Sequence, residues 1–222
     1  MCKTIAKIIE IVVEVLDYMR TNLIHEYTRI ANNLASRGGF KGIIYVVSVP
    51  KSLRSRCYIA CSVGVRVFGK VIGVIFVNKN EFAKLNEKVK LFVLAHEVGH
   101  IALGHVVASL TLKIILDVLI RNQGLKRTKP LIELLNLLLK LAITRKQELE
   151  ADEFAMEVVG LEASIEFAKW LERLQHAGYT VSHAVEPGIP VLTIEERKQH
   201  ILNWWIMRIQ QAKKIALFST LM

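Results

Sequence analysis

In Val93-Leu94-Ala95-His96-Glu97-Val98-Gly99-His100 two histidines stand four residues apart inside an apolar run. On a helix their imidazoles leave the same face one turn apart. That spacing lets a single Zn²⁺ take both nitrogens at about 2.0–2.1 Å. Glu97 falls on the adjacent face, where its carboxylate reaches a water on the metal rather than the metal, which makes it the candidate general base. With seven His and seventeen Glu in 222 residues, His-Glu-x-x-His arises by chance in about two shuffles of a hundred. The surroundings argue against chance. Phe92, Val93, Leu94, Ala95, Val98 and Ile101 make the helix apolar, and burying His, Glu and His there without a metal or hydrogen-bonding partners is costly.

Two positions compete for the third ligand. His105 is nearest, but on a continuous helix it lies nine residues past His96, about 180° round. It joins only if the helix breaks at Gly104, and a capping or supporting role suits it better. The metzincin pattern asks for Gly and His three and six residues after the second His, where Leu103 and Val106 stand. Downstream, Glu148 and Asp152 are four apart and share a helix face. A glutamate completing the zinc shell, with an aspartate one turn on to hydrogen-bond a ligating histidine, is sound metal chemistry. Glu150 points elsewhere, and Glu153 is the near rival. Taken alone, this segment also reads as a solvated acidic face.

Upstream of the His96 helix, which runs from about Asn80 to Gly104, three β-branched runs read as strands. They are Gly42–Pro50, Cys57–Val67 and Val71–Val77, the last two joined as a hairpin through Phe68-Gly69-Lys70. A substrate strand is expected to add near Val71–Val77. Residues 3–36 carry helical periodicity in one run, ending at Gly38-Gly39. Downstream, helices are expected at about 106–121, at 131–146 continuing or restarting through 159, at 161–176 and at 193–217. The sum is one α+β, mostly helical domain over 1–222: an N-terminal helical segment 1–39, a core 40–200 and a C-terminal helix 201–222. A small three-stranded sheet lies over the active-site helix.

Composition limits the remaining classes. Hydrophobic residues make up 52% and the mean hydropathy is +0.35, which fits a compact protein or one with membrane contact. Charges at Lys7, Glu10, Glu14 and Asp17 interrupt the first nineteen residues, so no signal peptide is read there and a cytoplasmic location is expected. Cys2, Cys57 and Cys61 form no Cys-x-x-Cys pair and read as free buried thiols. The net charge of +10 is spread along the chain without a nucleic-acid motif, so no specific nucleic-acid partner is expected.

At this point the chain resembles the HtpX and CaaX-prenyl-protease family of gluzincin metallopeptidases. Val93–His100 is similar to that family's active-site helix, and Glu148 with Ala151-Asp152 to its Glu-x-x-Ala-Asp helix. Ala177-Gly178-Tyr179, Ser182-His183 and Glu196-Arg197 are similar to the segment that follows. The resemblance covers about residues 43–200. It implies a zincin-like core, zinc held by His96, His100 and Glu148, Glu97 as general base, and His183 and Arg197 stabilising the oxyanion or ordering the substrate. A second resemblance, to ImmA/IrrE-type metallopeptidases that cleave regulators, rests on His96–His105 and Glu148–Ala155 and leaves the ligands unchanged. Members of the first family usually span membranes. Here 106–120 and 131–143 are too short and too charged, so a packed hairpin is expected, with membrane-surface contact as the alternative.

The function expected is therefore a zinc-dependent endopeptidase acting on a peptide or protein substrate. Its rivals are a regulator-cleaving peptidase and a zinc-containing protein that binds without hydrolysing.

Overall fold

The computed structural model describes residues 13–14, 17–51, 57–68, 70–105, 129–179, 181–186 and 189–220. The expected helix at 106–121, with most of the proposed packed hairpin, and the first twelve residues lie outside them.

The elements run α1 (His25–Arg37), β1 (Lys41–Ser48), β2 (Ala60–Val67), β3 (Lys70–Val77), α2 (Lys79–Ala83), α3 (Glu87–Ala102), α4 (Lys129–Val159), α5 (Leu161–His176), β4 (Val181–Glu186), β5 (Ile189–Thr193) and α6 (Ile194–Thr220). This is an α+β fold, mostly helical, with a three-stranded sheet packed over α3. Sequence periodicity places most of these elements correctly. The stretch 131–159 proves to be one helix, and β4–β5 is an antiparallel pair that the sequence reading did not anticipate.

Two long helices expected from periodicity are broken, each by a polar requirement. The N-terminal run stops at Leu23, which bridges Val47, and Ile24 N–H donates to Val46 O at 2.8 Å. The edge of β1 needs those partners. Beyond Ile24, the Thr28 hydroxyl accepts from Val46 N–H at 2.9 Å. Asn32 closes the same edge by accepting from Ile44 N–H at 3.0 Å and donating to Ile44 O at 2.7 Å. Further along, Asn86 separates α2 from α3 because its side chain caps α3, accepting from Val89 N–H at 2.9 Å.

The sheet order is β1-β3-β2, with β1 parallel and β2 antiparallel to β3. Both edges of β3 are therefore paired. The expected attachment of a substrate strand at Val71–Val77 is corrected: among the described residues the open edge is that of β2. Cys57 and Cys61 are joined as a disulfide, which corrects the expectation of free thiols. The bends at residues 58–59 bring their Cα atoms to 5.5 Å, within disulfide range.

Two glycine contacts set the position of α3. Gly64 and Gly73 are register partners, and a Cβ at either would come within 2.8 Å of Ile101. The sheet thus has a notch that seats α3. On the opposite face, a Cβ at Gly99 would meet Ala151 Cα at 3.2 Å, so α3 and α4 approach backbone to backbone. Phe92 completes the seat by stacking on Phe167 of α5 at 4.1 Å.

Candidate metal centre

The close approach at Gly99 brings the Glu148 turn of α4 against the His96 turn of α3. His96 Nε2 and His100 Nε2 are 3.1 Å apart. Glu148 lies 3.3 Å from the first and 3.4 Å from the second through its two carboxylate oxygens. The donor atoms of a tetrahedral site with bonds of about 2.0–2.1 Å are themselves about 3.3 Å apart, so the triangle has the dimensions of a zinc face. Two imidazoles and one carboxylate are also the donor set of a catalytic zinc site, with the fourth position left open. Among the described residues this trio is the only His/Cys/Asp/Glu group that closes on a common point. The residues present fit the ion.

Each histidine is held from behind. His96 Nδ1 lies 2.8 Å from Asp152 Oδ1, one turn beyond Glu148 on α4. Burial and the Arg197 charge push the His96 pKa down, but the Asp152 charge and hydrogen bond, with Glu148, outweigh them and raise it to about 9. Arg197 on α6 clamps the aspartate, Nε to Oδ2 at 2.7 Å and Nη2 to Oδ1 at 2.5 Å. Burial alone would raise the Asp152 pKa, yet the charges of Arg197 and His96 hold it low. Glu148 is likewise held well below the usual carboxylate range: burial raises it, and hydrogen bonds from His100 and His96 prevail.

His100 has a different support. After α3 ends, Gly104 adopts φ +74° and turns the chain so that His105 Nδ1 comes 2.9 Å from His100 Nδ1. His105 Nε2 then lies 3.2 Å from Glu150 Oε2, and Gln147 donates to the His105 carbonyl at 3.2 Å. Burial and the His100 charge push the His105 pKa down to about 4 against the pull of Glu150, so the ring is neutral. With His100 Nε2 turned to the metal position, its Nδ1 carries the proton. His105 accepts it at Nδ1 and donates from Nε2 to Glu150.

The sequence model of peptidase family M48 matches residues 26–183, a span that holds all three candidate ligands. The chain belongs to family M48. It is accordingly a metallopeptidase. No curated protein and no solved structure matches it.

Within this M48 chain, His96, Glu97, His100, Glu148 and Asp152 are brought to one place. His105 is close by but outside the triangle: its Nδ1 faces His100 and its Nε2 faces Glu150. The guanidinium of Arg197 is engaged with Asp152 on the Nδ1 side of His96, while the candidate metal position is on the Nε2 side. His183 lies in β4, paired with Leu192; its side chain is outside the described residues. The sequence reading missed Glu150, which instead of pointing away reaches His105. The signal for it was present in Gly104: a glycine just past a helix end licenses the left-handed turn that reverses the chain.

Proposed function

We propose that this M48 chain is a zinc-dependent endopeptidase. The observation that carries the reading is the triangle of His96, His100 and Glu148, beside a buried glutamate at the next position, Glu97. Zinc held there would supply Lewis acidity, lowering the pKa of a water and polarising the scissile carbonyl. Glu97 takes the proton of the attacking water on its carboxylate and delivers it to the leaving amine nitrogen. Asp152 keeps the His96 proton on Nδ1 and leaves Nε2 free, and Arg197 keeps Asp152 ionised and in place. Arg197 is thus read as a positioning residue rather than an oxyanion donor. His183 is carried as the candidate for the oxyanion or the substrate. An extended substrate has open backbone to pair with along β2, Ala60–Val67.

The test combines zinc content with cleavage of an unstructured protein substrate. Wild type should hold about one zinc per chain and cleave, as one three-ligand site requires. Glu97→Gln should keep the zinc and lose cleavage, and Glu148→Ala should lose both. Cleavage that survives Glu97→Gln would sink the mechanism, and a zinc-loaded wild type without any cleavage would favour the binding protein.

A further inference from the structure

The three-stranded sheet has an unusual outer face. A sheet packed on one side alternates apolar inward and polar outward, and the inward set here is regular: Ile44, Val46, Val71, Ile75 and Val77 are buried. The outward set is also apolar. Ile43, Ile72 and Val65 form one cross-strand row, and Tyr45, Val74 and Val63 the next. Ile43 and Ile72 are 53% and 54% exposed. At the hairpin end the face closes with a cationic pair, Lys41 beside Lys70, both exposed.

The hairpin tip carries the second observation. Phe68 is fully exposed and sits at φ 48°. Two-residue hairpin loops put Asn, Asp or Gly there, because the left-handed region is strained for other side chains. Among the described residues nothing offsets that strain, since the ring is fully exposed. An aromatic kept in a strained and exposed place points to a contact outside the chain.

Charge identifies the contact. From Lys41 to Asn80 the chain contains no Asp or Glu and seven Lys or Arg. That stretch therefore carries a net +7, against +10 for the whole chain. We propose that this outer face, with Phe68 leading and Lys41 and Lys70 at its rim, docks on an anionic lipid bilayer. Aliphatic rows and an exposed phenyl ring enter the boundary between headgroups and acyl chains, while lysines stay with the anionic headgroups. A nucleic acid would use the lysines but gain little from rows of Ile and Val, which neither stack on bases nor hydrogen-bond to them. A second copy would bring its own cationic rim and its own +10 charge. The docking is independent of the peptidase reading and holds whether or not the centre is loaded.

The full chain is sedimented with phosphatidylcholine vesicles, with and without phosphatidylglycerol. It should bind the mixed vesicles, release as salt rises, and ignore pure phosphatidylcholine. Phe68→Ser and the pair Lys41→Glu with Lys70→Glu should each weaken binding by about tenfold or more. Their melting temperatures should match wild type, because all three side chains are exposed. In Phe68→Trp, lipids brominated on the acyl chain should quench fluorescence more strongly than in wild type. Absence of binding to mixed vesicles overturns the proposal. So does binding unchanged in both Phe68→Ser and the lysine variant, which would put the lipid contact elsewhere on the chain. Tighter binding to duplex DNA than to mixed vesicles would overturn it as well.

Discussion

His100 and His96, the two candidate ligands on α3, have different support. The carboxylate behind His96 is direct and buried, through Asp152 and Arg197. Behind His100 a second imidazole stands between the ligand and the carboxylate of Glu150. Removing His105 leaves the His100 Nδ1–H without its acceptor and the ring free to turn. His105→Ala should weaken zinc binding by about 10–100-fold, the usual cost of losing such a partner. Glu150→Gln should cost less, because an amide oxygen still accepts from His105 Nε2. Competition against a chelator of known affinity measures both; equal affinity in wild type and His105→Ala would show that His105 gives no support. At this scale the candidate trio was legible from two i,i+4 pairs taken together, His96 with His100 and Glu148 with Asp152, and from the family resemblance that joins them. His105 and Glu150 were not, since their meeting depends on the turn at Gly104 and on which turn of α4 faces α3. Arg197 was legible as a candidate site residue, but its contact with Asp152 was not, because the two lie 45 residues apart and only tertiary packing brings them together.

The same division holds for the elements. Spacing and composition found α3, the three strands, α5 and α6: α5 and the strands bury one stripe or one face, while α3, buried on nearly all sides, shows as an apolar run. It could not see that β3 is central, because strand order is set by the crossover from β1 and not by any residue in β3. Nor could it see the breaks at Leu23 and Asn86, where an apolar repeat continues but backbone groups need partners from the sheet edge or a cap. What holds α3 on α4 is equally local: Gly99 against Ala151, with Phe154 beside them, so that a Cβ on Gly99 would meet both at 3.2 Å. The listener to this contact is Glu148, one turn away on α4, which must stay within about 3.4 Å of both histidine nitrogens to share an ion with them. Gly99→Val has no space for its methyls and should push the helices apart. The expected loss is about 1–3 kcal/mol of stability, as for other overpacked cores, together with a large fall in zinc affinity. Gly104→Ala, strained by its positive φ but with nothing within 4 Å, should disturb His105 while leaving the helix pair in place. A Gly99→Val chain with wild-type zinc affinity would mean that the ligands do not depend on this approach.

Across the whole molecule, a metal bound at the candidate centre would couple to both proton and fold. His96, Glu97, His105, Glu148, Asp152 and Arg197 are all buried, and without the ion the cluster is held by a proton on His96, whose pKa is raised to about 9. The unfolded chain has the ordinary histidine value of about 6.5. The folded metal-free form therefore holds its proton more tightly, and this stabilisation is complete below about pH 6.5 and lost as pH rises to about 9. Zinc would need Nε2 unprotonated while the other proton stays on Nδ1 against Asp152, so its binding must displace the Nε2 proton. Its apparent affinity should rise about tenfold per pH unit over that window, equal to about 1.4 kcal/mol of added stabilisation per unit at fixed excess zinc. The two trends oppose each other. Thermal melts from pH 6.5 to 9 should show the metal-free protein losing stability while the increment from zinc grows. Calorimetry in buffers of different ionisation enthalpy should register protons released on binding near pH 7.5. An increment that does not change with pH, with no proton release, would mean that His96 is not the group zinc displaces, and the ion would have to sit elsewhere on the chain.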